Sequence, residues 1–410
     1  MKALPEQSEL NIGMVGHVDH GKTTLTKALT GVWTDTYSEE IKKGISIKLG
    51  YADTAFYTCN DEKGELIYTT DPDKRCVNDV KLRRVVSFVD APGHETLMAT
   101  MLSGAAIMNG ALLLVAANQT CPLPQTKEHL MALEIMGLKN IVIVQNKIDL
   151  VTDDRARENY QEIKRFVKGT IAENAPIIPV SAHHDANIDL LIEAIEETIP
   201  TPKFDKSKSA RMYIARSFDV NRPGSDINKL VGGVIGGSLI QGVFNIGDEI
   251  EIMPGFQVTK GRKTIWEPIY TTVRTLMASG KMVDTVKPGG LIAIGTGLDP
   301  ALTKADGLTG RVAGAPGTLP KIIDEISVDI YLLENVVGHT TEIKVENIRT
   351  NEALMISVGT ATTVGIVKSA RPSIADISLK NPIVAEKGQR ISISRKITNR
   401  WRLIGYGIIR

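Results

Sequence analysis

The sequence predicts an α/β domain with a doubly wound, mostly parallel sheet, followed by two antiparallel β-barrel domains. Three observations lead to this fold class. Short apolar runs alternate with helical stretches in the first half, a proline-containing linker follows, and β-branched runs spaced by glycine continue to the end. With 410 residues, 42% hydrophobic and 23% charged, the chain is long enough for about two to four domains.

The first half of the chain has the pattern of a parallel sheet covered by crossover helices. Unbroken apolar runs predict strands at 11–15, 85–90, 111–117, 141–145 and 177–180. Helical spacing predicts helices at 22–29, 95–108, 126–136 and 155–171.

Two breaks predict three domains. The segment 199–209 combines two prolines with charged and small residues, which suits an extended linker. A second, softer break lies near the Gly- and Pro-containing run at 314–320. The predicted domains are 1–205, with an insertion at about 51–84, then 206–320 and 321–410.

Composition places few restrictions on partners. Lys and Arg total 48 against 47 Asp and Glu, so no overall positive charge indicates nucleic-acid binding, and any RNA contact must come from local patches. Cys59, Cys76 and Cys121 are an odd, sparse set that predicts no disulfide framework and suits a reducing compartment. The polar N-terminus and the lack of a run of about 20 apolar residues predict a cytoplasmic protein with no membrane partner.

A phosphate-binding pattern, GHVDHGKT at 16–23, stands between the first predicted strand and helix. Glycines let the backbone curl so that successive amides point at phosphate oxygens, and the helix start adds a favourable dipole. We expect Lys22 to reach the β- and γ-phosphates and the Thr23 hydroxyl to ligate Mg²⁺. Alone, this pattern also fits an ATPase loop or a chance match.

A second motif, DAPG at 90–93, begins at the last residue of the predicted strand 85–90. Asp90 stands where an acidic residue holds the magnesium ion through water. Gly93 can approach the γ-phosphate closely, so its amide can sense whether that phosphate is present. Alone, this motif also fits a simple Pro-Gly turn.

The NKID motif at 146–149 distinguishes guanine from adenine. Asp149 can accept from both the ring N–H and the exocyclic amine of guanine, and adenine lacks that donor pair. We expect Asn146 to support the loop and the Lys147 stem to lie over the base. In the SA pair at 181–182, the serine hydroxyl is expected to hydrogen-bond to Asp149. A backbone amide of the pair is expected to donate to the guanine oxygen.

These four elements occur in order, each at the carboxyl end of a predicted strand, where open α/β sheets bind ligands. Together they predict a P-loop GTPase domain that binds GTP or GDP with Mg²⁺. The predicted nucleotide-binding residues are Val18, Asp19, His20, Gly21, Lys22, Thr23, Thr24, Gly93, Asn146, Lys147, Asp149, Ser181, Ala182 and His183.

These residues resemble the translational GTPases, for which GHVDHGKT and DAPGH at 90–94 are specific. Within that superfamily, which is elongation factor Tu-like, the sequence is most similar to the gamma subunits of archaeal and eukaryotic translation initiation factor two, and Asp19 resembles the archaeal form. The resemblance covers nearly the whole chain and includes LTGVWT at 29–34, IKLGY at 47–51, PQTKEHL at 124–130, RSFDVN at 216–221, GDEIEI at 247–252 and WRLIGYG at 401–407.

The resemblance implies a heterotrimer with alpha and beta subunits that carries initiator methionyl-tRNA to the small ribosomal subunit in the GTP state and releases it after GTP hydrolysis. The barrels would hold the tRNA and the alpha subunit, and the beta subunit would dock on the nucleotide domain. Three alternatives remain at this point: an elongation factor of the selenocysteine type, the GTPase subunit of sulfate adenylyltransferase, and a GTP-sensing scaffold without turnover.

The chain departs from the family in two places. Ser46 stands where the first switch usually has Thr, and it keeps the hydroxyl that would ligate Mg²⁺. Relatives often carry a zinc knuckle of Cys-x-x-Cys pairs in the insertion, where this chain has only Cys59 and Cys76 and no histidine. A structural zinc site needs about four ligands, so zinc is not expected.

Catalysis depends on few candidate residues. His94 follows Gly93 directly, and by resemblance it positions the attacking water, the alternative being a hydrogen bond within a mobile loop. No arginine can be assigned as a finger, so we expect slow intrinsic hydrolysis and an activating partner. Asp19, a carboxylate in a phosphate cradle, predicts a second cation unless its side chain points away to cap local amides.

Two further features stay open. The basic run at 394–402 contains a tryptophan, which suits either an RNA or subunit contact or a solvated strand edge. His183 and His184 lack a third nearby ligand, so a loop position bordering the base is favoured over metal binding.

Overall fold

The computed structural model describes residues 4–34, 48–94, 98–222, 224, 226, 228, 230–261, 263–336 and 343–410. The chain divides into two compact units, one of Met1–Pro202 with Asn335–Ile343 and one of Lys203–Glu334 with Lys344–Arg410. The three-domain boundaries near 205 and 320 stay a prediction.

The first unit is built on a seven-stranded sheet. Its elements are β1 (Asn11–Gly16), α1 (Lys22–Thr30), β2 (Gly50–Asn60), β3 (Leu66–Thr69), α2 (Pro72–Arg75), β4 (Asn78–Asp90), α3 (Met98–Ala105), β5 (Gly110–Ala116), α4 (Pro124–Met136), β6 (Ile141–Asn146), α5 (Asp153–Val167), β7 (Ile177–Pro179) and α6 (Ile188–Thr198). The strand order is β3-β2-β4-β1-β5-β6-β7. All neighbours from β4 to β7 are parallel, whereas β2 is antiparallel to both β3 and β4.

The central strands β1, β5 and β6 are buried along their whole length, as their unbroken apolar runs predict. Helix α6 packs Leu191 and Ile195 onto the same core as Leu25 of α1. This burial fixes the strand ends, and with them the loops that follow, in a rigid frame.

The insertion extends the sheet instead of forming a separate lobe. Strands β2 and β3 and the start of β4 form an antiparallel extension, in which Asn60 is paired with both Leu66 and Asn78. Tyr68 of β3 packs against the core that contains α6. The sequence pattern did not predict these strands.

The insertion contains a disulfide, so the expectation that the cysteines form none is wrong. Cys59 and Cys76 are disulfide-bonded, with Cα atoms 5.5 Å apart, and the two residues are 17 positions apart in sequence. The Val77 amide donates to the Asn60 carbonyl, which places the two cysteines side by side. Counting cysteines could not show this, because strand register decides which of them meet. The expected lack of zinc stays a prediction.

The second unit contains two closed six-stranded antiparallel barrels, which confirms the predicted fold class. The first barrel closes in the order β11-β16-β8-β9-β15-β12 with β12 pairing back to β11, and the second in the order β17-β20-β19-β18-β21-β22. The elements are β8 (Arg211–Phe218), β9 (Val234–Gln241), β10 (Phe244–Asn245), β11 (Glu249–Lys260), β12 (Lys263–Ala278), β13 (Lys281–Val283), β14 (Thr285–Val286), β15 (Ile292–Thr296), α7 (Pro300–Thr303), β16 (Val312–Gly314), β17 (Ile322–Leu332), β18 (Ala353–Val358), β19 (Ala361–Arg371), β20 (Ile374–Val384), β21 (Arg390–Ile397) and β22 (Arg400–Ile409).

The two barrels contact each other within this unit. Arg211 forms an ion pair of 2.8 Å with Glu386, and the Gln389 amide donates to the Tyr213 hydroxyl over 3.3 Å. Within the described ranges, no helix has the length and apolar character needed to cross a bilayer.

Candidate nucleotide-binding site

Four loops meet at the carboxyl edge of the parallel strands in the first unit. They follow β1, β4, β6 and β7, which are neighbours or near neighbours in the sheet. This edge is where open α/β sheets bind ligands, so the four predicted motifs share one surface.

The loop after β1 has the conformation of a phosphate cradle. Asp19 and Gly21 both have positive φ, 61° and 89°, and such residues curl a loop so that its amides can line an anion-binding concavity. The Lys22 ammonium lies within this loop and donates to the carbonyls of Gly16 (3.0 Å) and His17 (2.8 Å). Helix α1 begins at Lys22, so its first amides also face the cradle.

Two buried histidines form hydrogen bonds that hold this loop in place, one within the loop and one on α4. His20 is 1% exposed, and its Nδ1 lies 2.8 Å from the Leu114 carbonyl, so that nitrogen must carry the proton. His129 of α4, also 1% exposed, has the opposite tautomer, because its Nδ1 accepts from the Gly16 amide over 2.8 Å. Burial lowers the pKa of His20 to about 4 and that of His129 to about 3, so both rings stay neutral.

We expect substitution of His129 to change the free energy of unfolding and the way in which this free energy depends on pH. Because burial depresses its folded pKa, His129 takes up a proton only on unfolding, and stability present above pH 6.5 is lost as the pH falls toward 3. At pH 4.5 this loss should be about 3 kcal/mol, and it should be absent in His129→Asn and His129→Leu. Urea unfolding of each protein at pH 7.5 and 4.5 measures it.

The two variants separate titration from hydrogen bonding. Asn keeps an acceptor close to the position of the imidazole Nδ1, whereas Leu leaves the buried Gly16 amide without one. At pH 7.5, His129→Leu should therefore lower the free energy of unfolding by about 1–3 kcal/mol more than His129→Asn does. Equal stability of the two variants at pH 7.5 would contradict the assigned contact.

The second loop places a carboxylate beside the phosphate cradle. Asp90 is 1% exposed, and its Oδ2 accepts from the hydroxyls of Thr23 (2.8 Å) and Thr34 (2.7 Å). A buried carboxylate next to hydroxyl oxygens is the hard-oxygen donor set that Mg²⁺ prefers, so these residues fit the ion. Ser46, the other predicted ligand, lies outside the described residues.

Gly93 touches the phosphate loop directly. A Cβ at this position would lie 2.5 Å from Lys22 Nζ and 3.0 Å from the Val18 amide nitrogen, so a larger residue would have to displace the lysine and would crowd the loop backbone. His94 follows it and is half-buried. The contact is the close approach expected of a loop that senses a terminal phosphate.

Asn146 connects three of the loops. Its Nδ2 donates to the His20 carbonyl over 2.9 Å, and its Oδ1 accepts from the Ala182 amide over 3.1 Å. A Cβ on Gly21 would lie 2.4 Å from Nδ2, so the glycine makes room for this side chain. The Ala182 amide, one candidate partner for the guanine oxygen, therefore already has a partner here.

The Asp149 carboxylate lies beside the loop that follows β7. A hydrogen bond from Ser181 is the main cause that lowers the pKa of this carboxyl, so it is ionised. His184 Nε2 lies 3.8 Å from Asp149 Oδ2, and the His183 and His184 rings are 4.8 Å apart, edge to face. Lys147 precedes this turn with a φ of 63°.

The structure thus places the predicted nucleotide residues, together with Asp90, in or beside the loops at this edge of the sheet. Asp19 is exposed at the rim of the loop, where its role stays a prediction. Among the described residues, no group of three or more His, Cys, Asp and Glu side chains is arranged to hold a metal ion.

The basic run at 394–402 is partly structural. Arg395 forms an ion pair with Glu352 and donates to the carbonyls of Glu346 and Asn347, and Arg402 is buried. Lys396 and Arg400 remain exposed.

Three side chains of the site were missed by sequence reasoning. Thr34 and His129 lie in segments that carried the family resemblance, but neither segment indicates the partner that the side chain contacts. Gln119, whose side-chain amide lies 3.0 Å from His20 Nε2, had no sequence signal at all.

Two family models match the chain. Residues 7–201 match the elongation factor Tu GTP-binding domain, and residues 324–409 match the C-terminal region of initiation factor eIF2 gamma. A translation initiation factor 2 subunit gamma from Methanothermobacter thermautotrophicus is 62% identical over 99% of this chain and 100% of the relative. One from Thermoplasma acidophilum is 62% identical over 98% of this chain and 97% of the relative.

Solved structures share the fold at low sequence identity. A bacterial selenocysteine-specific elongation factor EF-Sec has a TM-score of 0.74 at 24% identity, covering 98% of this chain and 58% of that one. Elongation factor SelB from Methanococcus maripaludis in complex with the GTP analogue GPPNHP has a TM-score of 0.72 at 22% identity, covering 99% and 80%.

Proposed function

The chain belongs to the gamma subunits of translation initiation factor 2, and from this premise we propose that it binds initiator methionyl-tRNA in the GTP state, delivers it to the small ribosomal subunit and releases it after GTP hydrolysis. The alpha and beta subunits of the same factor are its proposed partners in a heterotrimer. The family implies guanine-nucleotide and Mg²⁺ binding.

The observation that carries the proposal is the position of Asn146. Its amide bonds join the phosphate loop at His20 to the base loop at Ala182. A ligand that contacts both the cradle around Lys22 and the carboxylate of Asp149 would therefore meet one connected surface. A guanine nucleotide has both a phosphate tail and the paired donors that Asp149 accepts.

The residues divide into three roles. Lys22 and the amides of Val18 to Thr24 bind the phosphates, while Asn146, Lys147, Asp149, Ser181, Ala182 and His183 surround the base. Thr23, Ser46 and Asp90 would hold magnesium, with Asp90 acting through water. Magnesium supplies positive charge to the phosphate oxygens. A second cation beside Asp19 remains part of the proposal.

Hydrolysis is proposed to be slow without an activator. His94 follows the glycine that contacts the phosphate loop, which is a suitable place from which to orient an attacking water. No arginine has been assigned to neutralise charge that develops on the phosphates, so an activating partner is expected to complete the site.

A tRNA-binding experiment tests the function. The chain would be assembled with its alpha and beta subunits, and filter binding would compare initiator methionyl-tRNA, elongator methionyl-tRNA and selenocysteinyl-tRNA with GTP or GDP. We expect initiator tRNA to bind most tightly, and at least about tenfold more tightly with GTP than with GDP.

The other outcomes identify the alternatives. Preference for selenocysteinyl-tRNA would indicate a specialised elongation factor, and binding to no tRNA would favour the sulfate adenylyltransferase subunit. GTP turnover that small ribosomal subunits fail to increase would indicate a scaffold without catalytic use of the nucleotide.

A further inference from the structure

Thr34 contacts the carboxylate of the proposed magnesium site, although it was not among the predicted site residues. It lies four residues beyond the end of α1, and its hydroxyl donates to Asp90 Oδ2 over 2.7 Å. Thr23 donates to the same oxygen over 2.8 Å. Two hydroxyls from separate parts of the chain therefore bond to one oxygen of a buried carboxylate.

Gly50 leaves the space that Thr34 occupies. Gly50 is paired with Asp90 across β2 and β4, and a Cβ there would lie 2.6 Å from Thr34 Cβ and 3.2 Å from its Oγ1. Gly50 is not among the residues with positive φ, so backbone conformation does not require a glycine here. Its lack of a side chain instead allows Thr34 to lie beside Asp90.

We propose that Thr34 is a positioning residue for magnesium, acting by fixing the orientation of the Asp90 carboxylate. The inference rests on the proposed guanine-nucleotide function, to which the metal ion belongs. A carboxylate held by one hydroxyl can still rotate about its terminal bond, whereas hydrogen bonds from two directions fix it. Mg²⁺ tolerates little deviation from octahedral geometry, so the orientation of this carboxylate affects its affinity.

The proposal predicts a specific defect in Thr34→Val. Valine has nearly the same shape as threonine but no hydroxyl, and Thr23 stays in place. We expect the Mg²⁺ concentration that half-maximally slows the release of a fluorescent GDP analogue to rise about tenfold. The release rate in excess EDTA should stay within about twofold of the wild type, because Thr34 is proposed to act only through the metal ion.

Two comparisons separate positioning from general damage. Thr34→Ser keeps the hydroxyl and should restore the Mg²⁺ dependence to within about twofold of the wild type. Thr54→Val is the control, because Thr54 is a buried threonine on β2, opposite Val86 and four positions from the Gly50–Asp90 pair. It should leave the Mg²⁺ dependence unchanged.

Gly50→Ala provides a second, independent route to the same defect. The added methyl group would displace Thr34, so this variant should also need about tenfold more Mg²⁺. Combining it with Thr34→Val should add little, because both changes remove the same hydrogen bond. Additive effects would contradict the proposed role of Gly50.

Fluorescent GDP release across a Mg²⁺ titration, measured on the full chain, decides between the outcomes. If GDP release from the wild type responds to Mg²⁺ and Thr34→Val shows the same Mg²⁺ dependence, this inference is overturned and the proposed function is not affected. A wild-type protein that binds no guanine nucleotide, or whose release rate ignores Mg²⁺, would overturn the proposed function as well. A defect that Thr34→Ser fails to rescue would also count against a role for the hydroxyl.

Discussion

Asp149→Asn is expected to lower the affinity for GDP by about two to four orders of magnitude. The carboxylate would accept two hydrogen bonds from guanine, and bonds to a charged group contribute about 1.5–3 kcal/mol each. In the structure this group is ionised and held by Ser181, so it is ready to accept both bonds. Isothermal titration calorimetry with GDP measures the loss.

The same variant should gain affinity for xanthosine diphosphate. Xanthine has an oxygen where guanine has its exocyclic amine, so an amide at position 149 can donate to it and accept from the ring N–H. Asp185→Asn is the matched control, because it makes the same change in the loop after β7, at a φ of 54° that Asn tolerates. Unchanged GDP binding by Asp149→Asn would rule out the assigned base contact.

Arg84→Ala is expected to lower the stability of the first unit by about 3–5 kcal/mol. Arg84 on β4 lies 2.5 Å from Glu196 on α6, and the two side chains are only 7% and 11% exposed. Arg84 also donates to the Ile195 carbonyl and the Thr201 hydroxyl, both over 3.3 Å. Removing it leaves a nearly buried carboxylate without its closest partner, which costs more than a surface ion pair would.

Arg83 offers a control at the neighbouring position. It lies 4.0 Å from the same Glu196 but is 49% exposed, so Arg83→Ala should cost less than about 1 kcal/mol. Replacing both Arg84 and Glu196 by apolar residues should cost less than Arg84→Ala alone, because no buried charge is left unpaired. Equal costs for the two arginine variants would show that burial does not govern this ion pair.

Urea unfolding of the full chain can report on the first unit alone. The chain has three tryptophans, and only Trp33 belongs to the first unit. In a Trp266→Phe and Trp401→Phe background, tryptophan fluorescence therefore follows that unit. Each arginine variant would be compared within this background.

The repeating pattern of the first unit was predictable because each element is encoded locally. The buried runs that form β1, β5 and β6 are unbroken in the sequence, and such runs form central parallel strands. The insertion was not predictable in the same way. Its strands are antiparallel and partly exposed, and the register that joins Cys59 to Cys76 depends on pairing with β4.

The chemistry of the site was encoded in short motifs, because each loop needs particular residue types in a fixed order after its strand. Lys22, Asp90, Asn146 and Asp149 could be assigned expected roles on that basis alone. The support around them could not be assigned. His129 is 113 positions from Gly16, and Thr34 is 56 positions from Asp90.

The sequence by itself therefore determined the fold class, the order of the motifs and the residue types that would meet a nucleotide, because periodicity and local spacing are properties of neighbouring residues. Only the tertiary structure decided which side chains orient those residues. Hydrogen bonds such as those from Thr34 to Asp90 and from Gly16 to His129 form when packed strands and helices bring distant segments within about 3 Å, and local sequence does not encode that packing.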